Sequence, residues 1–293
     1  MVNVLIASAG GPAAVGLIKS LRKLKDDIKI VALDCNKYAS GLYLADEYYV
    51  VKAINEESVD FNWNEFVNII VKENINLIIP TGEADLLIFG KYQAQLAEIG
   101  VTVFISNRKV LDICRDKYKF WVKCDKLFKT PKPIDAVFQK SDIGSGSRGI
   151  KLIESTPSER LWEYLPGKEY TVDVFCDKSS NSLGTVVRER VGIKSGISVQ
   201  CNVIRHPELE STSEILCAYL NIKGPCNIQF KEDKNGIPRL IECNPRLGGG
   251  TYFSTLAGVN PAEIYIKLYN EQTIKKQYAK EIAISRYFEE IIL

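Results

Sequence analysis

The sequence has a single histidine, no Cys-x-x-Cys pair, no apolar run of membrane length and almost no excess of charge of either sign. Each shortage removes a class of function. His206 alone cannot build a His-rich metal site, nor a Ser-His-Asp triad unless its partners are of another type. The eight cysteines mostly sit inside apolar runs without metal-ligand spacing, so they read as reduced, buried small hydrophobes rather than disulfides or zinc ligands. The opening segment MVNVLIASAGGPAAVGLIKS is broken by Gly and Pro well before the roughly 20 residues that cross a bilayer. The chain is therefore expected to stay in the cytoplasm, with no membrane partner. With 38 Lys+Arg against 36 Asp+Glu and no long run of one sign, it lacks the basic surface that displaces counterions from a phosphate backbone, so no nucleic-acid partner is expected.

What remains is a soluble chain of 293 residues with apolar material for two or three lobes. Up to about residue 106, short β-rich runs alternate with helix-period segments. VNVLIA, IKIVALD, NLIIP and VTVF read as strands, while PAAVGLIKSLRKL, FNWNEFVNIIVKE and ADLLIFGKYQAQLAEI read as helices. This is the pattern of a doubly wound parallel sheet. In such sheets ligands lie beyond the carboxyl ends of the strands, where Ser8–Gly11, Asp34 and Thr81–Asp85 fall. From residue 107 to 293 one helix, NRKVLDICRDKYKFWVKCDKLF, precedes mostly β sequence joined by tight turns such as Lys234-Asn235-Gly236. An α+β domain rich in antiparallel hairpins should follow the α/β domain, with helices near STSEILCAYL and after Asn260.

Four segments bear on chemistry. Ser8-Ala9-Gly10-Gly11-Pro12 lies between a strand and a helix but fails the dinucleotide spacing, so it is a structural turn or a substrate contact rather than an NAD site. Gly144-Ser145-Gly146-Ser147-Arg148-Gly149 follows Lys140 and joins two expected strands. It can wrap terminal phosphates, and it can equally be a hairpin linker. The run Glu163-Tyr164-Leu165-Pro166-Gly167-Lys168-Glu169 re-enters a strand through Pro-Gly, as a hinge whose backbone can meet a base edge and whose Glu169 can hold a ribose. Finally, Asn227-Ile228-Gln229-Phe230 and Leu240-Ile241-Glu242-Cys243-Asn244-Pro245-Arg246 read as a hairpin in which Glu242 and Asn244 share a face and Gln229 lies opposite. One carboxylate with two amide oxygens suits Mg²⁺, Arg246 reaches the same place, and the bland alternative is a solvated strand face.

Together these segments resemble the ATP-grasp superfamily, in particular small carboxylate-amine ligases similar to one half of the carbamoyl-phosphate synthase large chain. The resemblance runs from VNVLIASAGGPAAVGLIKSL to ISRYFEEI. It implies a pre-ATP-grasp domain over 1–106 and an ATP-grasp domain over 107–293, with a lid subdomain at about 131–168. It implies that Lys117 and Lys140 meet nucleotide phosphates, that Gly144, Ser145, Gly146, Ser147 and Gly149 close over them, and that Glu163, Tyr164 and Leu165 hold adenine. Glu169 resembles the ribose ligand, and Gln229, Glu242 and Asn244 resemble the ligands of two Mg²⁺ ions, with Mn²⁺ able to substitute. Arg246 resembles the arginine that stabilises the transferring phosphoryl group, and Arg188 and Arg190 include an anion contact between them.

The implied activity joins a small-molecule carboxylate to an amine through an acyl phosphate, releasing ADP and phosphate. The alternatives are a kinase that phosphorylates its acceptor without ligation and a non-catalytic ATP-binding sensor. The acceptor is expected among Gly10, Gly11, Glu83, Asp85, Arg188, Arg190, Gly248 and Gly249, where Glu83 or Asp85 either holds an amine or caps the helix that follows. A homodimer is an option, as among many relatives. The lid segments Lys129–Phe138 and Glu154–Trp162 are shorter than the family's, implying either an abbreviated lid or missing lid residues.

Overall fold

The computed structural model describes residues 1–53, 62–139, 151–157 and 159–292. The N-terminal part contains β1 (Val2–Ile6), α1 (Pro12–Leu21), β2 (Ile28–Asp34), β3 (Glu47–Val50), α2 (Trp63–Lys72), β4 (Leu77–Ile78), α3 (Glu83–Lys91), α4 (Gln93–Glu98) and β5 (Thr102–Val103). Its five strands run parallel in the order β3-β2-β1-β4-β5. The direction of winding reverses between β1 and β4, which makes the crevice beyond their carboxyl ends the natural ligand position. The turns carrying Ser8–Gly11 and Thr81–Gly82 both open there.

Then come α5 (Arg108–Arg115), α6 (Lys117–Cys124), the short strands β6 (Pro133–Ile134), β7 (Ala136–Gln139), β8 (Lys151–Glu154) and β9 (Leu161–Trp162), and the long strands β10 (Glu169–Cys176), β11 (Ser182–Lys194) and β12 (Ile197–Ile204). The chain continues through α7 (Pro207–Leu220), β13 (Gly224–Glu232), β14 (Pro238–Asn244), α8 (Thr251–Leu256), α9 (Pro261–Tyr269), β15 (Gln277–Tyr278) and β16 (Ile282–Ser285). The main sheet runs β14-β13-β10-β11-β12-β16, antiparallel throughout, with β15 pairing parallel to β11. Between 131 and 168, where a lid is expected, β6 pairs with β9 and β7 with β8, and no helix occurs among the described residues.

Two expected helices divide. The segment from Asn107 to Phe128 breaks at Asp116, whose extended backbone and carboxylate cap the next helix by accepting from the amides of Tyr118 and Lys119. The break makes Lys117 the first residue of α6. The segment Ala84–Ile99 divides at Tyr92, which leaves helical geometry and stacks on Trp63 with ring centroids 3.9 Å apart. The short helix α8, after the triple glycine, was not expected from the sequence.

Apolar burial joins the two parts. One core cluster takes Val4, Ile6 and Leu17 from the first and Phe175, Val186 and Ile264 from the second. A second lies between the main sheet and α7, and includes six buried cysteines. All eight cysteines are free thiols, and only Cys35 is exposed. Among the described residues no helix is long and apolar enough to cross a membrane.

Candidate functional site

Strand alternation builds the site. Tyr170, Val172 and Val174 of β10, with Cys226, Ile228 and Phe230 of β13, enter the core under α7. Their neighbours Glu169, Thr171 and Asp173, and Asn227, Gln229 and Lys231, therefore project from the opposite face. Register aligns them: Thr171 lies across from Gln229 and Arg188, Gln229 from Glu242, and Asn227 from Asn244. A register shift between Gln229 and Phe230 leaves Ile241 as an extra residue on β14. Because of this bulge, Leu240 joins the core although simple alternation would place it beside Glu242.

Gln229, Glu242 and Asn244 thus meet on one patch. The Asn244 amide donates to Glu242 Oε1 at 2.9 Å, and Lys117 Nζ lies 3.7 Å from Glu242 Oε2. The donor set is one carboxylate and two amide side chains, and among the described residues no group of three His, Cys, Asp or Glu is arranged to hold a metal. Such a set fits a hard cation that takes oxygen ligands and completes its shell from phosphate and water, and it does not fit zinc.

A cavity of about 340 Å³ lies on one side of this patch. Lys117, Trp121, Trp162 and Ile241 line it together with Glu163, Tyr164 and Leu165, the three residues expected at a base. It is predominantly apolar, a slot suited to a flat heterocycle. The segment bearing Glu163 is fixed by β6 and β9 and by the Glu163 amide donating to the Lys132 carbonyl at 2.8 Å.

A second cavity of about 320 Å³ lies on the other side, between the N-terminal crevice and the main sheet. Gln229, Glu242, Asn244, Arg246, Arg188 and Arg190 line its sheet wall, facing Ser8, Gly11, Thr81 and Glu83 from the N-terminal part and the glycines Gly248 and Gly249. Gly10 is held by its amide donating to Asp34 Oδ2 at 2.8 Å, outside the lining. Asp85 is spent on structure: fully buried, it accepts from the Ser8 hydroxyl at 2.7 Å and the Gly82 amide at 2.9 Å. Burial pushes its carboxyl above the usual range despite these hydrogen bonds. Of the two acidic candidates for an amine contact, Glu83 alone reaches the cavity, and the cap reading describes Asp85.

The two arginines differ. Arg188 is buried in a bidentate pair with Asp173, both bonds at 2.9 Å. Burial alone would lower its pKa, but the Asp173 carboxylate more than offsets this and holds it raised. Asp173 also accepts from Asn227 and from Ser254 of α8, at 2.7 and 2.6 Å. This network lies directly beneath the glycine loop. A methyl group on Gly248 would meet the Asn227 amide, and one on Gly250 the Arg188 guanidinium. Arg190 pairs instead with Glu169 and donates to the Ser198 hydroxyl at 3.0 Å and the Gly196 carbonyl at 2.6 Å. Glu169, expected at a ribose, is thus engaged by an arginine of the second cavity.

Lys140, Gly144, Ser145, Gly146, Ser147 and Gly149 lie outside the described residues. Sequence reasoning missed Thr171, Asp173, Asn227 and Lys231, although Thr171, Asn227 and Lys231 each lie two residues from one it chose. It also missed Trp121 and Trp162, which carry no sequence signal.

Two family models match separate stretches of the chain. Residues 157–290 match the family model described as "ATP-grasp in the biosynthetic pathway with Ter operon", and residues 4–104 match "PylC-like, N-terminal domain". A search of curated proteins finds no match. Among solved structures, N5-carboxyaminoimidazole synthetase from Staphylococcus aureus is 16% identical with a TM-score of 0.67, over 96% of this chain and 80% of that one. A biotin carboxylase from Campylobacter jejuni, solved with a β-γ-ATP complex, is 17% identical with a TM-score of 0.66, over 93% and 71%. The biotin carboxylase domain of the Hydrogenobacter thermophilus 2-oxoglutarate carboxylase, a dimer with MgADP and bicarbonate, is 19% identical with a TM-score of 0.64, over 93% and 70%. At these identities the likeness is one of fold.

Proposed function

We propose that the chain, whose residues 157–290 match an ATP-grasp family model, is an ADP-forming ligase that joins a small-molecule carboxylate to an amine at the expense of ATP. The observation that carries the reading is the pair of cavities meeting at Gln229, Glu242, Asn244 and Arg246. A flat base fits the apolar cavity, which directs the phosphates past Lys117 to the hairpin. The acceptor occupies the second cavity, within reach of the terminal phosphoryl group.

Gln229, Glu242 and Asn244 would hold Mg²⁺, which supplies neutralisation of phosphate charge when bound. Lys117, and Lys140 from the phosphate loop, bind the nucleotide oxygens. In the first step the terminal phosphoryl group passes from ATP to the acceptor carboxylate oxygen, forming an acyl phosphate and ADP. Arg246, whose guanidinium donates to the Leu247 carbonyl at 3.1 Å, is positioned to stabilise the oxyanion charge that develops. In the second step the amine attacks the acyl carbon, the C–O bond to phosphate breaks, and the ammonium proton passes to solvent. No protein nucleophile is required.

The test is phosphate release from Mg²⁺-ATP against pooled carboxylates, with and without pooled amines, using Glu242→Ala as the blank. Release that needs both pools and disappears in the variant supports ligation. Release with carboxylates alone, undiminished by omitting amines, overturns ligation in favour of acceptor phosphorylation followed by hydrolysis of the acyl phosphate by water.

A further inference from the structure

Two ion pairs border the second cavity, and one of them, Lys117 with Glu242, joins it to the first. Lys117 of the first cavity meets Glu242 of the second at 3.7 Å. Glu169, on β10 across from the first cavity's Lys231, meets Arg190 of the second. The second pair is the more enclosed, with side chains 7% exposed for Arg190 and 22% for Glu169. Arg190 also fastens the turn between β11 and β12 by donating to the Gly196 carbonyl at 2.6 Å and to the Ser198 hydroxyl at 3.0 Å. That turn is a wall of the acceptor cavity, and it is a tight one, since both Ser195 and Gly196 have positive φ.

We propose that Arg190 is a latch between the two cavities: without nucleotide it occupies Glu169, and when ribose hydroxyls take Glu169 the guanidinium is released toward the carboxylate of the acceptor. The inference rests on the reading of Glu169 as the ribose ligand. A carboxylate offers a limited set of lone pairs, and two ribose hydroxyls and a guanidinium compete for the same ones. Once displaced, a largely buried guanidinium must regain an anionic partner, and the neighbouring cavity is where an anionic acceptor binds. Linkage makes the effect reciprocal, so an acceptor that engages Arg190 frees Glu169 and tightens the nucleotide. The device favours complexes holding both substrates over either alone. Arg190 is thus an acceptor-binding residue whose availability Glu169 controls.

The test compares ADP with 2′,3′-dideoxy-ADP, both with Mg²⁺, by titration calorimetry on the whole chain. The ratio of their dissociation constants isolates the ribose hydroxyls and cancels the general attraction of Arg190 for phosphates. In the native protein the ratio should exceed one, and in Glu169→Gln it should fall toward one. In Arg190→Met it should rise by roughly threefold to tenfold, because ribose no longer displaces a partly buried charged hydrogen bond. Arg190→Lys, which cannot reach Glu169, Ser198 and Gly196 at once, should raise the ratio less, and serves if the methionine variant does not fold. A merely structural role would leave the ratio unchanged or lower it. A native ratio above one that neither Arg190 variant raises overturns the latch while leaving the ribose reading intact. A native ratio of one overturns both.

Discussion

Arg246 and Glu73 show how a single side chain takes its importance from what surrounds it. Arg246 follows the strand that carries Glu242 and Asn244 and lines the second cavity, where the proposed reaction would place the phosphoryl group. Arg246→Ala is expected to slow turnover by roughly 10²–10³, as for loss of one preorganised oxyanion donor. A less than threefold loss of kcat/KM, measured with the substrates found in the release assay, removes it from the mechanism. Glu73 is 7% exposed and accepts from Lys29 at 2.8 Å and from the Tyr49 hydroxyl. The Lys29 bond first, and then that of Tyr49, hold its carboxyl below the ordinary value of 4.5. A depressed folded-state pKa gives stability that is present above the unfolded value and lost as pH falls through the folded one. Urea midpoints should therefore separate the native protein from Glu73→Gln near neutral pH and converge as pH falls through the folded-state value. A separation independent of pH would show that the ionised state of Glu73 contributes nothing.

At the scale of elements, the working unit is the β13–β14 hairpin with the glycine loop that follows it. The bulge at Ile241 lets one strand send Leu240 into the core and Glu242 into the cleft. The loop then crosses so close over Asn227 and Arg188 that side chains at 248 and 250 have no room. Asn227 cannot yield cheaply, since its amide is bonded to buried Asp173 at 2.7 Å. Gly248→Ala should cost about 1–3 kcal/mol by overpacking, read as a lowered thermal midpoint. It should also weaken the acceptor more than the nucleotide, because the first cavity does not include the loop. Most of the elements were readable from periodicity, as were the hairpin and the carboxyl-end crevice, but α8 and β3 were not. The divided helices have local causes: Asp116 caps where a continuous helix was expected, and Tyr92 stacks on Trp63 where another was.

At the scale of the molecule, the two parts share an apolar core. Val4, Ile6 and Leu17 pack in one cluster with Phe175 and Ile264, and Phe104 and Tyr265 meet with ring centroids 4.8 Å apart. Separating the parts would expose that surface, at roughly 25 cal/mol for each Å² of apolar area. The chain should consequently unfold as one unit. Trp63 reports the N-terminal part, and Trp121 and Trp162 report the first cavity, so variants retaining one or the other can be followed separately. Coincident urea transitions are expected. A Trp63 signal that melts ahead of the others would show independent lobes and leave the acceptor cavity without one wall.

Sequence alone determined the local choices: strand or helix by period, the tight turns by Gly and Asn, and the clustering of Glu242, Asn244 and Arg246 by two-residue steps along one strand. Those are properties of neighbours along the chain, and backbone geometry converts spacing into direction. Only the tertiary structure decided which polar groups are available and which are consumed. Arg188 and Arg190 alternate identically in the sequence, yet one is neutralised by Asp173, fifteen positions away, and the other by Glu169, twenty-one away. Glu83 and Asp85 differ by two positions, yet one faces the cavity and the other caps a helix. Charges act through space at a few ångströms, and which groups come within that distance is set by the packing of sheets and helices rather than by position in the chain.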